Sequence, residues 1–216
     1  MSRTDETDGT DGTDGAAFLE LVGSRRGHFR LESGHHSALW LDLDALFAAP
    51  RRIDPFIDAL SGALRPYAVE AVCGPLLGGA FLAQLVARAL DAKFYFTERV
   101  LPSDGGGMYP VRYRLPPTFA DRVRRTRVAV VDDVMSAGSA LLGTCLELQA
   151  HGALPVVAGA LLVLGSTGAD RCAERKLPVE AVARESFSLW RPEECPLCQE
   201  DLPLVDATTP PAAQNV

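Results

Sequence analysis

The sequence predicts an α/β fold, a mostly parallel sheet flanked by helices. Three observations predict it. Short apolar runs rich in β-branched residues recur at 128–131 and 155–164, the kind that suits strands buried on both faces of a parallel sheet. Two such runs lead through small-residue turns into helical patterns, which is the order of a βα unit. The chain has 216 residues, 47% of them apolar, which is ample for one well-buried core.

The ends stand apart from that core. Residues 4–15 repeat Thr-Asp-Gly with almost no apolar content, so residues 1–15 are expected to be a disordered acidic tail. This tract lacks the basic start and apolar run of a signal peptide. Residues 206–216 are rich in Pro, Ala and Thr and are expected to fray. No apolar stretch is as long as a membrane helix, since 76–90 is interrupted by Gln84 and Arg88. These features predict a cytoplasmic protein without a membrane partner. The net charge is −7, and more than half of it lies in residues 1–15, where Arg3 stands against Asp5, Glu6, Asp8, Asp11 and Asp14. That balance argues against non-specific nucleic-acid binding.

In chain order, Phe18, Leu19 and Val22 recur at helical spacing, predicting a short helix over 16–25. Phe29 and Leu31, then Leu39, Leu41 and Leu43, alternate with polar residues, predicting two strands around a Ser33-Gly34 turn. His35 and His36 read as exposed loop histidines. Ile53, Phe56, Ile57, Leu60 and Leu64 share one face of a helix over 50–65. Residues 71–73 are a brief strand, 74–79 (Gly-Pro-Leu-Leu-Gly-Gly) a turn, and 80–90 a helix. Residues 93–97 form a strand, and 98–108 a loop whose three glycines suit a hinge or lid. An alternating strand follows over 109–114. Residues 128–131 are the central strand, followed by Asp132-Asp133, small residues 136–140 and a helix carrying Leu141, Leu142, Cys145, Leu146 and Leu148. Residues 155–164 and 179–183 are the last core strands.

The central stretch carries the chemistry. Unpaired N–H groups at a helix start form a ready phosphate site. Small residues let a ligand reach that backbone, and the hydroxyls of Ser136 and Ser139 add donors. Two adjacent carboxylates cannot both enter a core without large cost. They can accept hydrogen bonds from sugar hydroxyls or help hold hydrated Mg2+. Glycines in the 74–79 turn permit close approach to a ligand. Near the end, Cys195 and Cys198 form a Cys-x-x-Cys pair, half of a Zn2+ site that histidines or a second subunit would have to complete. Cys73 and Cys145 read as core residues.

The string 127–143 resembles the phosphoribosyl-pyrophosphate (PRPP) signature of type I phosphoribosyltransferases. Residues 29–40 resemble the start of orotate phosphoribosyltransferases: Phe29, Leu31, Ser33, Gly34 and Ser37 match a Phe-x-Leu-x-Ser-Gly-x-x-Ser pattern, with Trp40 as the aromatic near the base. The Trp-x-Pro-x-x-Cys-Pro-Leu-Cys ending at 190–198 is similar to that of a bacterial subgroup of those enzymes. The resemblance spans about residues 16–205 and implies the type I fold, with an N-terminal hood over about 16–45 and a cysteine-bearing end over about 190–205.

The resemblance further implies a Mg2+-dependent transfer joining orotate to PRPP, carried out by a homodimer. PRPP falls to Asp132, Asp133, Val134, Met135, Ser136, Ala137, Gly138, Ser139 and Ala140, with Gly74, Pro75, Gly78 and Gly79 on the pyrophosphate. Asp132, Asp133 and Arg99 are the catalytic candidates. Phe29, Ser33, Gly34, Trp40, Ser136 and Ser166 fall beside the base. The chain departs from the pattern twice. The loop after Arg99 lacks the family's lysines and histidine, leaving Arg112 and Arg114 beyond the glycines. Ser166 stands where orotate enzymes carry a carboxylate-binding arginine, with Arg171 close by to substitute. A transferase for another base, or a non-catalytic PRPP-binding regulator, are the alternatives these departures leave.

Overall fold

The computed structural model describes residues 11–31, 34–43, 46–100 and 112–206. In chain order it has α1 (Asp11–Leu21), β1 (Arg25–Arg30), β2 (His36–Trp40), α2 (Pro50–Leu64), β3 (Ala71–Pro75), α3 (Gly78–Leu90), β4 (Lys93–Val100) and β5 (Arg112–Arg114). There follow α4 (Pro117–Ala120), β6 (Arg127–Met135), α5 (Ser139–Ala150), β7 (Leu154–Leu164), α6 (Thr167–Ala173), β8 (Val179–Glu185), β9 (Leu189–Trp190), α7 (Pro196–Gln199) and β10 (Val205–Asp206). The expected terminal tails fall largely outside the described residues, as do Ser33 and the glycine loop 101–111.

Six strands form the main sheet in the order β5-β4-β3-β6-β7-β8. All neighbours are parallel except β5, which returns antiparallel on β4. The sheet is buried on both faces, and β6 shows how. Ala129 and Val131 enter the core shared with α1, α2 and α3, while Val128 and Val130 enter the core shared with α5. All four are fully buried, which is what an unbroken β-branched run allows and an alternating one does not.

Several elements end elsewhere than the apolar pattern predicts. The first helix stops at Leu21, because Gly23 takes a left-handed φ of 55°. Its N–H and that of Ser24 bond back to Glu20 and Leu19, a glycine-closed helix end. Arg25 therefore opens β1 instead of closing α1. The central strand runs on to Met135, so Asp132 and Asp133 lie within it. β4 extends to Val100 because Glu98, Arg99 and Val100 pair with Arg114, Tyr113 and Arg112.

The hood is a second sheet, ordered β10-β1-β2-β9. β1 and β2 form the expected hairpin, but both outer strands come from the chain's other end. β9 pairs with β2 through His36 and Trp190, and β10 pairs with β1 through Phe29 and Val205. His36 is thus buried on β2, 4% exposed, and not an open loop histidine. The strand pairing turns it inward.

Candidate active site

The sheet order sets where a ligand can sit. From β3 the chain moves outward to β4, whereas from β6 it moves the other way to β7 and β8. The strand order therefore reverses between β3 and β6, and ligands of open α/β sheets bind beyond the strand ends at such a point. The β3–α3 turn and the acidic end of β6 meet there.

Their packing explains the glycines. A Cβ on Gly78 would run into the Asp133 carboxylate, and one on Gly79 would lie 2.7 Å from Asp132 Oδ1 and from Pro75 Cδ. A Cβ on Gly74 would collide with the Gly79 backbone. Larger residues would push the turn off the carboxylates. The turn also contains a cis peptide between Leu76 and Leu77.

Asp132 and Asp133 are half-buried. The N–H of Asp133 donates to Asp132 Oδ1 at 3.2 Å, and that of Val134 donates to Asp133 Oδ1 at 2.9 Å. Among the described residues, neither carboxylate has a cationic partner in an ion pair. Burial, then the neighbouring Asp133, hold Asp132 well above the usual carboxylate range. Burial likewise raises Asp133, against the Val134 N–H that favours its charged form.

The small-residue loop follows at once. Ser136 is half-buried, Ala137 exposed, and Gly138 takes φ 70° as the residue before α5. Ser139 and Ala140 open the helix, so their N–H groups face out of its N-terminus. Two residues beyond the motif shape this loop. A Cβ on Gly168 would lie 2.5 Å from the Ser136 carbonyl and 2.9 Å from Met135 Cγ. The Arg171 guanidinium donates to the Ala137 carbonyl at 2.7 Å and to Ser139 Oγ at 3.3 Å. Arg171, considered above as a stand-in for the missing carboxylate ligand, is thus engaged with the small-residue loop. Ser166 is exposed at the start of α6.

Arg99 is exposed on β4 and pairs in register with Tyr113. Tyr113 packs against α5 at Gly143, where a Cβ would come 2.5 Å from its ring. Burial raises the Tyr113 hydroxyl, with Arg99 opposing and Asp132 adding to the rise. Tyr113 therefore feels both a candidate cation and a candidate carboxylate, and nothing in the local pattern singled it out.

The hood residues are less closely joined to this cluster. Phe29 is buried on β1. Trp40 lies under the Arg25 guanidinium, 4.2 Å from ring centre to carbon. Gly34 takes φ 78° at the hairpin turn. Among the described residues, no hydrogen bond links Phe29, Gly34 or Trp40 to the acidic pair or the small-residue loop. Cys195 and Cys198 lie against the hood, beside His28 and His36.

Comparison with known proteins agrees with this geometry. The chain is 33% identical over 186 residues to the orotate phosphoribosyltransferase of Thermotoga petrophila, covering 86% of this chain and 92% of that one. It is 34% identical over 190 residues to the orotate phosphoribosyltransferase of Carboxydothermus hydrogenoformans, covering 87% and 92%. No family model matches. In structure it is similar to orotate phosphoribosyltransferase from Aeropyrum pernix, with a TM-score of 0.62 at 24% identity, covering 78% of this chain and 92% of that one. It also resembles adenine phosphoribosyltransferase from Trypanosoma brucei, with a TM-score of 0.63 at 16% identity, each chain covered to 83%. The fold is thus common to transferases for different bases, and identity to sequence relatives decides between them. By that identity, across nearly the whole folded region, this chain belongs to the orotate phosphoribosyltransferase family.

Proposed function

We propose that this protein joins orotate to PRPP, forming orotidine 5′-monophosphate and pyrophosphate, a step of pyrimidine biosynthesis. One observation carries the reading: the glycine turn, the acidic pair and the small-residue loop meet at the switch point of the sheet, in a chain of this family.

The reaction needs no covalent nucleophile. Pyrophosphate leaves C1 of the ribose, and the developing oxocarbenium-like centre must be held and its leaving group stabilised. The backbone at 136–140, with Ser136 and Ser139, binds the 5′-phosphate, and Arg171 keeps that loop in shape. Asp132 and Asp133 accept from the ribose hydroxyls. Gly74, Pro75, Gly78, Gly79 and Arg99 cradle pyrophosphate. Phe29, Ser33, Gly34, Trp40, Ser136 and Ser166 line the base. The donor set suits Mg2+ carried in with PRPP, because two half-buried carboxylates without a cationic side chain offer hard oxygen ligands. Bound there, Mg2+ would offset pyrophosphate charge. A cytoplasmic homodimer belongs to the same reading; among the described residues, no helix is long and apolar enough to cross a membrane.

The engagement of Arg171 with the loop, and the exposed Ser166, favour a second reading: the same transfer to another base. The test is orotate consumption followed by ultraviolet absorbance, with PRPP and Mg2+. Loss of orotate with stoichiometric pyrophosphate release is expected. PRPP binding without orotate turnover would redirect the reading to a base panel or to a regulator, and absence of PRPP binding would overturn it.

A further inference from the structure

Four metal-ligating side chains meet on the hood, outside the transferase site. His28, His36, Cys195 and Cys198 each offer one ligand atom, and all four atoms lie within 4.8 Å of one another. His28 Nε2 is 3.0 Å from His36 Nδ1, 3.5 Å from Cys195 Sγ and 3.6 Å from Cys198 Sγ. Cys198 Sγ is 3.3 Å from His36 Nδ1. A tetrahedron with zinc–nitrogen bonds of about 2.0–2.1 Å and zinc–sulfur bonds of about 2.3 Å has edges of roughly 3.3–3.8 Å. Four of the six separations, 3.0–3.6 Å, are close to that, and none of the six exceeds 4.8 Å.

Hydrogen bonding alone leaves this arrangement poorly satisfied. His28 Nδ1 is 2.9 Å from the Leu202 carbonyl. A carbonyl only accepts, so Nδ1 carries the proton, and in the neutral ring Nε2 is a bare lone pair. That lone pair faces three groups at once and can accept from only one. A cation at the centre engages all four. The Leu202 bond is the outer-sphere contact that fixes the tautomer and ring angle of a metal-bound histidine.

The fold accounts for the convergence. His36 pairs with Arg30 across the hairpin, and His28 is two residues from Arg30. The strand is irregular between Arg26 and Phe29, at His28, and the two histidine rings meet edge to face with centroids 4.9 Å apart. The cysteines arrive from the segment between β9 and β10, the strands that flank the hairpin on either edge. His28, His36 and Cys195 are buried, and Cys198 is exposed.

We propose that His28, His36, Cys195 and Cys198 bind one Zn2+ ion, a closed four-coordinate structural site that ties the C-terminal segment to the N-terminal hood. Two nitrogens and two thiolates in tetrahedral array with no open position are the donor set of structural zinc. The residues that complete the Cys-x-x-Cys pair come from the same chain, not from a second subunit.

The test uses the full chain with no histidine tag, expressed with zinc present and purified without chelator, and it is independent of transferase activity. Elemental analysis is expected to find about one zinc per chain. Cys195→Ser/Cys198→Ser is expected to lose it, and His35→Ala, beside the cluster, to keep it. Stripping the metal should lower the unfolding midpoint by roughly 5 °C or more. Because the cysteine variant can fail to fold, Co2+ is also added to the stripped, reduced wild-type protein. Thiolate-to-cobalt charge transfer and intense tetrahedral d–d bands are expected. Less than about a tenth of an equivalent of zinc together with no cobalt spectrum would overturn the site. So would iron that zinc does not displace, or a Cys195–Cys198 disulfide in freshly purified protein.

Discussion

Asp132 and Asp133 face opposing demands. In the proposed reaction substrate binding wants them ionised, and burial resists ionisation. A carboxyl whose pKa is raised on folding holds its proton more tightly in the folded state. Its contribution to stability is therefore greatest below the unfolded carboxylate value of about 4, and is lost as pH rises through the raised folded value. At neutral pH the pair costs stability when no ligand is bound. Asp132→Asn is accordingly expected to unfold at a higher temperature than the wild type at pH 8 and to differ much less at pH 4. Calorimetry at the two values checks this, and a wild type that is more stable at pH 8 would contradict it. The double variant Asp132→Asn/Asp133→Asn should stay folded by circular dichroism while kcat/KM falls by about 100-fold or more. The two carboxylates stood out in the chain as candidates, but their closeness to Gly78 and Gly79 did not, because it depends on two strands laid side by side.

The glycine turn and the small-residue loop act as shaped pieces of backbone. Gly74→Ala places a methyl group into the Gly79 backbone, and overpacking of this kind costs about 1–3 kcal/mol. Urea unfolding would measure it. Arg171 fastens α6 to the small-residue loop by two hydrogen bonds. Arg171→Ala should raise the KM for PRPP about 10-fold, the equivalent of roughly 1.4 kcal/mol, with a smaller change in kcat. An unchanged KM would show that the loop holds its form unaided. Both loops were recognisable from local sequence, since each is a glycine-bearing stretch between a strand and a helix. Arg171 and Gly168 act on the loop from some 30 residues away: the sequence offered Arg171 only as a substitute carboxylate ligand, and nothing in its neighbourhood marks Gly168.

At the scale of the molecule, two interiors on opposite faces of one sheet carry the stability. Leu161 is fully buried on β7 among residues of α2 and the neighbouring strands. Leu161→Ala is expected to cost about 2–5 kcal/mol with KM for PRPP little changed. The hood meets the main sheet partly through Arg26 and Glu185, 2.6 Å apart with Arg26 65% exposed. An exposed pair contributes little, so Arg26→Ala should change stability by less than about 1 kcal/mol.

The sequence by itself determined the α/β class, the strand–turn–helix units and the acidic pair followed by a small-residue loop, because each rests on residues adjacent in the chain: the 128–131 run, Asp132-Asp133 and the small residues after them. Tertiary structure alone decided the reversal of strand order between β3 and β6 and the place of Tyr113 beside Arg99 and against Gly143. It alone decided that Leu189–Trp190 and Val205–Asp206 complete the hood. Two-residue strands carry no periodic signal, and pairing between chain ends leaves no local trace. The same reason hid His28, an ordinary strand residue in the sequence that the fold brings to within hydrogen-bonding distance of two cysteines more than 160 positions away.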